Sequence, residues 1–96
     1  MNDAKLLQRI FLDLNATIET LFIQYETNTI TSVHEPEEIL ASFKKDVDDL
    51  KQLYYHLAVD QVLYKYSLSD SDRVFKQICD EADEQANYFI SLRNGG

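Results

Sequence analysis

The sequence predicts an all-α protein, an antiparallel bundle of three long helices, on three observations. Glycine and proline are nearly absent: the 96 residues hold two glycines, Gly95 and Gly96, and one proline, Pro36. Sandwiches and barrels need a turn residue every ten positions or so, and this scarcity excludes most of them. Apolar side chains recur at alternating steps of three and four, the period of left-handed helix packing. The pattern falls into three segments with short polar connections, which makes neighbouring helices antiparallel. Apolar residues make up 45% and charged residues 27%, as in an ordinary globular protein. The length fits one helical-bundle domain over residues 1–96.

The first helix opens at Asn2 or Asp3, both good N-caps. Leu7, Phe11, Leu14, Ile18, Leu21 and Tyr25 form its seam, and Ile10 and Phe22 widen it to a core-facing stripe. Residues 28–33 are rich in Thr and Ser and read as a loop.

The second helix starts near Pro36, which suits the first helical position because its missing N–H would have no partner there. Glu35, Glu37 and Glu38 place negative charge at the positive end of the helix dipole. The seam runs Leu40, Phe43, Val47, Leu50, Tyr54, Leu57, Gln61, Tyr64 and Leu68 without a break in the alternation. One continuous helix of about thirty residues, about 45 Å long, is therefore expected. A break near residues 58–61 is the competing expectation and would make the bundle four-helical.

The third helix opens within "SLSDSD", residues 67–72, where Ser69 and Asp72 have the spacing of a capping box. Phe75, Ile78, Ala82, Gln85, Phe89 and Leu92 continue the alternation, and Asn94, Gly95 and Gly96 end it.

Four of the six tyrosines fall in "LKQLYYHLAVDQVLYKYSL", residues 50–68. Tyr55, Val59, Val62 and Tyr66 form a second apolar stripe beside the seam, at steps of four, three and four. A middle helix that touches two neighbours would bury both stripes. A helix that outruns its neighbours by about two turns would instead leave Tyr55, Val59, Val62 and Tyr66 as a homodimer or partner face. Tyrosine suits such a face, because it brings apolar area with a hydroxyl that can stay wet.

The formal net charge is −8. Such a surface repels phosphates and anionic lipid head groups, so neither nucleic acid nor membrane insertion is expected, and a basic protein or peptide partner suits it. No apolar run approaches the eighteen residues of a membrane span. The single cysteine, Cys79, fits a reducing compartment, and the chain reads as cytoplasmic. Asp80, Glu81, Asp83 and Glu84 flank the core-facing Ala82, as a solvated face or a contact for a basic partner.

Chemistry has no signature here. No Glu-x-x-His occurs for a di-iron site, and Asp70 and Asp72 lack the glycine and glutamate of a calcium loop. His56 and Asp60 lie four apart, as a hydrogen-bonded pair, and His34 sits in the first loop. Acidic neighbours raise the pKa of Cys79, which makes it a poor nucleophile. Glycine-rich phosphate loops and Ser-His-Asp patterns are missing. No cofactor, metal or enzymatic activity is expected.

The segment "LYYHLAVDQVLYKYSLSDSDRVFKQI", an aromatic-rich helix running through a short polar turn into the last helix, resembles the pediocin-like bacteriocin immunity proteins of Gram-positive bacteria. The resemblance covers the C-terminal half. It implies a cytoplasmic antiparallel bundle that protects a cell from a toxin by direct contact, and it assigns no individual residue. A non-enzymatic protein-binding module of immunity or inhibitor type is thus the expected function. A small acidic secretion chaperone or assembly adaptor is the alternative. A phage protein that mimics nucleic acid is a third reading, which Lys44, Lys45, Lys51 and Lys65 count against by interrupting the acidic surface.

Overall fold

An apolar seam along each of three helices can be hidden from water only against the other two. The computed structural model, which describes residues 3–31 and 35–93, solves this with a three-helix bundle. Helix α1 spans Asp3–Thr31, α2 spans Pro36–Gln61 and α3 spans Leu68–Arg93. A 3-10 turn at Leu63–Lys65 separates α2 from α3. Each helix packs on both others, and no strand occurs among the described residues. Leu14, Ile18, Val62 and Ile78 are the largest side chains fully removed from water.

Helix α1 runs further than expected. Asn28 to Thr31 are helical, and the rest of the expected loop, residues 32–33, lies with His34 outside the described residues, as do Asn2 and Asn94, Gly95 and Gly96 at the expected helix ends. Threonine hydroxyls at this end bond back within the helix. Thr27 and Thr29 donate to the carbonyls of Ile23 and Tyr25, at 3.0 and 2.8 Å. Pro36 opens α2 as expected, behind Glu35 in extended geometry, whose carbonyl accepts from the Glu38 and Ile39 amides.

The continuous second helix does not form. It ends at Gln61 after 26 residues, and the Val62 N–H makes the last helical bond, to the Ala58 carbonyl at 2.9 Å. At φ −132° and ψ −52°, Val62 has left helical geometry, and it and Leu63 are both buried. The break therefore places two consecutive apolar side chains in the core at the foot of the bundle. No overhang results. The helices are about 44, 39 and 39 Å long, and the molecule measures 47 × 19 × 18 Å. The bundle stays at three helices because α3 begins almost at once. Gln61, Tyr64 and Leu68, expected on the seam, are exposed.

The cap of α3 also lies two residues earlier than expected. The Asp70 amide donates to Ser67 Oγ at 3.2 Å, and Ser67 Oγ lies 3.1 Å from Asp70 Oδ2. Ser67 and Asp70, not Ser69 and Asp72, form the reciprocal pair at this end.

Each pair of helices carries a polar tie. Between α1 and α2, the Tyr54 hydroxyl donates to Asp13 Oδ2 at 2.7 Å, with Thr17 Oγ1 2.8 Å away. Between α1 and α3, Asn15 Nδ2 donates to Glu81 Oε1 at 3.0 Å. Between α2 and α3, Lys51 Nζ reaches Asp83 at 2.7 Å while also holding Asp48 at 2.8 Å. Burial is the largest influence on the Tyr54 hydroxyl and pushes its pKa up; Asp13 adds to this and Thr17 opposes it.

Two expectations follow. Leu14→Ala should cost about 2–5 kcal/mol in urea melts, from lost burial and an unfilled cavity. Tyr54→Phe should cost about 1–3 kcal/mol at neutral pH, because the Asp13 carboxylate loses its donor. A raised tyrosine pKa stabilises the fold below the ordinary value of 10.0, and that stability is lost as pH rises through the folded value. The stability gap between parent and Tyr54→Phe should therefore narrow in strongly alkaline melts.

Candidate functional site

Three surface regions stand out: the second stripe of α2, the acidic run of α3, and a groove between α1 and α2.

The second stripe is not a single exposed face. Val62 is fully buried, so its place in an accessible partner contact is corrected: it belongs to the core. Tyr55 and Val59 are half-buried and pack against that core. The Tyr55 ring lies 4.8 Å from Phe75 of α3 and 6.0 Å from His56. Tyr66 alone is exposed, past the end of the helix. Its hydroxyl donates to Asp3 Oδ2 at 2.6 Å, and Lys65 Nζ lies 3.3 Å from the other oxygen of Asp3. The hydrogen bond from Tyr66 is the main reason the Asp3 carboxyl falls below the ordinary value of 3.8; burial opposes it, and Lys65 assists. The start of α1 is thereby latched to the turn between α2 and α3.

The acidic run is divided among partners. Ala82 is fully buried, as expected. Asp83 bonds Lys51 of α2, Glu81 accepts from Asn15 of α1, and Asp80 pairs with Lys76 at 2.8 Å on its own helix. Asp80, Glu81 and Glu84 line a shallow depression with Phe11 and Gln77. Asn15 Oδ1 is buried beside this region without a hydrogen-bond partner.

The groove was not legible as a site. It lies between the last turns of α1 and the first turns of α2, and its volume is about 500 Å³. Leu21, Tyr25, Ile39 and Phe43 form its floor, and Glu38 and Asp46 stand on its rim with Gln24, Asn28 and Ser42. The floor is rigid, because Phe22, Tyr25, Phe43 and Phe89 make one aromatic cluster with centroids 5.2–5.7 Å apart. Arg93 of α3 lies over the Tyr25 ring, 5.5 Å from its centroid. Among the described residues, no Lys or Arg side chain lines the groove.

Among the described residues, no three His, Cys, Asp or Glu side chains converge to hold a metal ion. His56 and Asp60 are both exposed on α2. Cys79 is half-buried. Its thiol is pushed up, chiefly by burial, with Lys51 opposing and Asp83, Asp80 and Asp48 adding to it. No helix among the described residues is long and apolar enough to cross a membrane.

The two tyrosines should behave differently. Tyr55→Ala should lower stability by about 1–3 kcal/mol, through lost packing on Phe75, without changing the mass measured by light scattering. Tyr66→Phe should leave the thermal melt nearly unchanged. A lowered carboxyl pKa stabilises the fold above 3.8, and that stability is lost as pH falls through the folded value. Protection factors in the first turns of α1, corrected for the intrinsic exchange rate at each pH, should fall in acid for the parent, and at neutral pH already for Tyr66→Phe.

No protein-family model matches this chain, and no curated protein or solved structure matches it either.

Proposed function

We propose that this chain is a non-enzymatic protein-binding module of the immunity or inhibitor type, acting by direct contact with a basic protein or peptide. The observation that supports it is how the charges are distributed. The chain has 17 carboxylates and 9 lysines and arginines. Lys45, Lys51, Lys65, Arg73 and Lys76 are all held by carboxylates of the same chain. Five of the nine cations thus sit in internal pairs, while carboxylates remain in surplus. Such a surface steers a cationic partner and repels phosphate. The immunity reading also rests on the resemblance of α2, the turn and α3 to the pediocin-like immunity proteins.

A secretion chaperone or assembly adaptor is the competing reading. Exposed Tyr64 and Leu68 at the turn between α2 and α3 favour it, as apolar surface that a client segment could cover.

The gene beside this one decides between the two. The immunity reading expects a neighbouring gene for a toxin or bacteriocin. Expression of this chain should then protect a sensitive strain, and the two products should co-elute as a stoichiometric complex. A secretion operon next door, with a client that co-purifies, would replace immunity with the chaperone reading. A neighbouring toxin that kills protected and unprotected strains alike would sink the immunity reading.

A further inference from the structure

We propose that the outer face of α1 is a self-association surface, on which a second copy of this chain docks antiparallel, α1 against α1. The inference goes beyond the direct-contact reading above and does not depend on it.

Among the described residues nine large apolar side chains face water, and three of them lie on α1: Leu12, Ile23 and Ile30, exposed at 63%, 56% and 84%. They stand 11 and 7 residues apart, so at 3.6 residues per turn all three fall within about 20° of one line along the helix. Exposed Ala16 lies beside that line and leaves room for another helix to come close. Leu14 points the opposite way, into the core. The stripe is thus a second apolar face, which neither α2 nor α3 covers.

The charges beside the stripe select its occupant. Lys5 and Arg9 stand towards the start of the helix, and Glu19 and Glu26 towards its end, all on the same side as the stripe. Among the described residues no ion pair takes up any of these four side chains. A basic partner would face Lys5 and Arg9, and an acidic partner would face Glu19 and Glu26. A second copy laid antiparallel satisfies both ends, and a two-fold axis makes the contact self-complementary. With Leu12 set against Ile23 of the second copy, residue numbers at the same height sum to 35. Arg9 then comes level with Glu26 of the second copy, and Lys5 lies about one turn from it. Each pairing occurs twice. A parallel copy would instead set Lys5 and Arg9 against their own kind, which is repulsive. The net charge of −8 does not forbid the contact, because the four charges on this face sum to zero and the excess lies elsewhere on the chain. At about 0.1 M salt, charges more than about 10 Å away are largely screened.

The test uses the full chain in light scattering and analytical ultracentrifugation over a wide concentration range at about 0.1 M salt. The expected result is a reversible rise to twice the monomer mass. Leu12→Ser and Ile23→Ser should each move the midpoint to at least about tenfold higher concentration, since each change acts twice in a two-fold dimer. Both positions are exposed, so dilute thermal melts should stay near the parent. Chains carrying Lys5→Glu with Arg9→Glu, or Glu19→Lys with Glu26→Lys, should stay monomeric alone and pair with each other when mixed. Spin labels on Gln8→Cys, in a Cys79→Ala background, read the orientation. Antiparallel copies place the two labels at heights 19 residues apart, about 28 Å, whereas a parallel pair brings them side by side. A strict monomer at every concentration would overturn the proposal. So would a dimer indifferent to Leu12→Ser and Ile23→Ser, failure of the two charge-reversed chains to pair, or labels side by side.

Discussion

Burial of Val62 is the constraint on which the rest of the bundle depends. Its side chain is fully enclosed, and its backbone has already left helical geometry. That single residue sets the length of α2 and puts Leu63 into the core beside it. It also fixes where α3 starts, and hence the register of α3 against α1. Phe22 then stacks on Phe89 at 5.2 Å, and Asn15 reaches Glu81. Tyr66 and Lys65 come to rest against Asp3 for the same reason. A helix that ran on through Val62 would carry these partners away from one another.

Apolar seams alone are weak specifiers of register, because one heptad step along a seam presents much the same surface. The polar ties between helices remove that ambiguity. Tyr54 with Asp13, Asn15 with Glu81, and Lys51 with Asp83 each join a different pair of helices. A slipped arrangement would leave a tyrosine hydroxyl, an amide or an ammonium group partly buried without its partner, at a cost of about 1–3 kcal/mol for each neutral group. The exposed pairs, such as Lys45 with Asp49 and Lys76 with Asp80, are screened by water and each lie within one helix, so they specify nothing between helices.

Much of this was legible in the sequence. The seams around Leu14, Ile18, Phe43, Val47, Ile78 and Ala82 are core, because a three–four alternation has few other ways to hide its apolar face. The break at Val62 was harder to place, since neither glycine nor proline marks it and the alternation continues through it. What ends the helix is tertiary: the foot of the bundle has room for both Val62 and Leu63. The cap was misplaced by two residues because Ser67, Ser69, Asp70 and Asp72 offer two equivalent pairs, and packing chooses between them. The tyrosine stripe invited a reading as one face, yet its four residues now occupy a core position, two half-buried ones and a turn. The groove could not be read along the chain, because its walls come from residues 21–28 and 38–46, on different helices. Neither wall looks unusual until the two are set side by side.

The proportions of the molecule, 47 Å by 19 Å by 18 Å, carry a consequence for its evolution. A rod this thin has no deep interior, and sixteen apolar residues are buried among those described. Most of the remaining positions face water along three helical ridges, where substitutions usually change stability by about 0.5 kcal/mol or less. The surface can therefore be rewritten one ridge at a time while the scaffold stays intact. Lineages of such a chain would keep the bundle and quickly lose any trace of common sequence outside its seams.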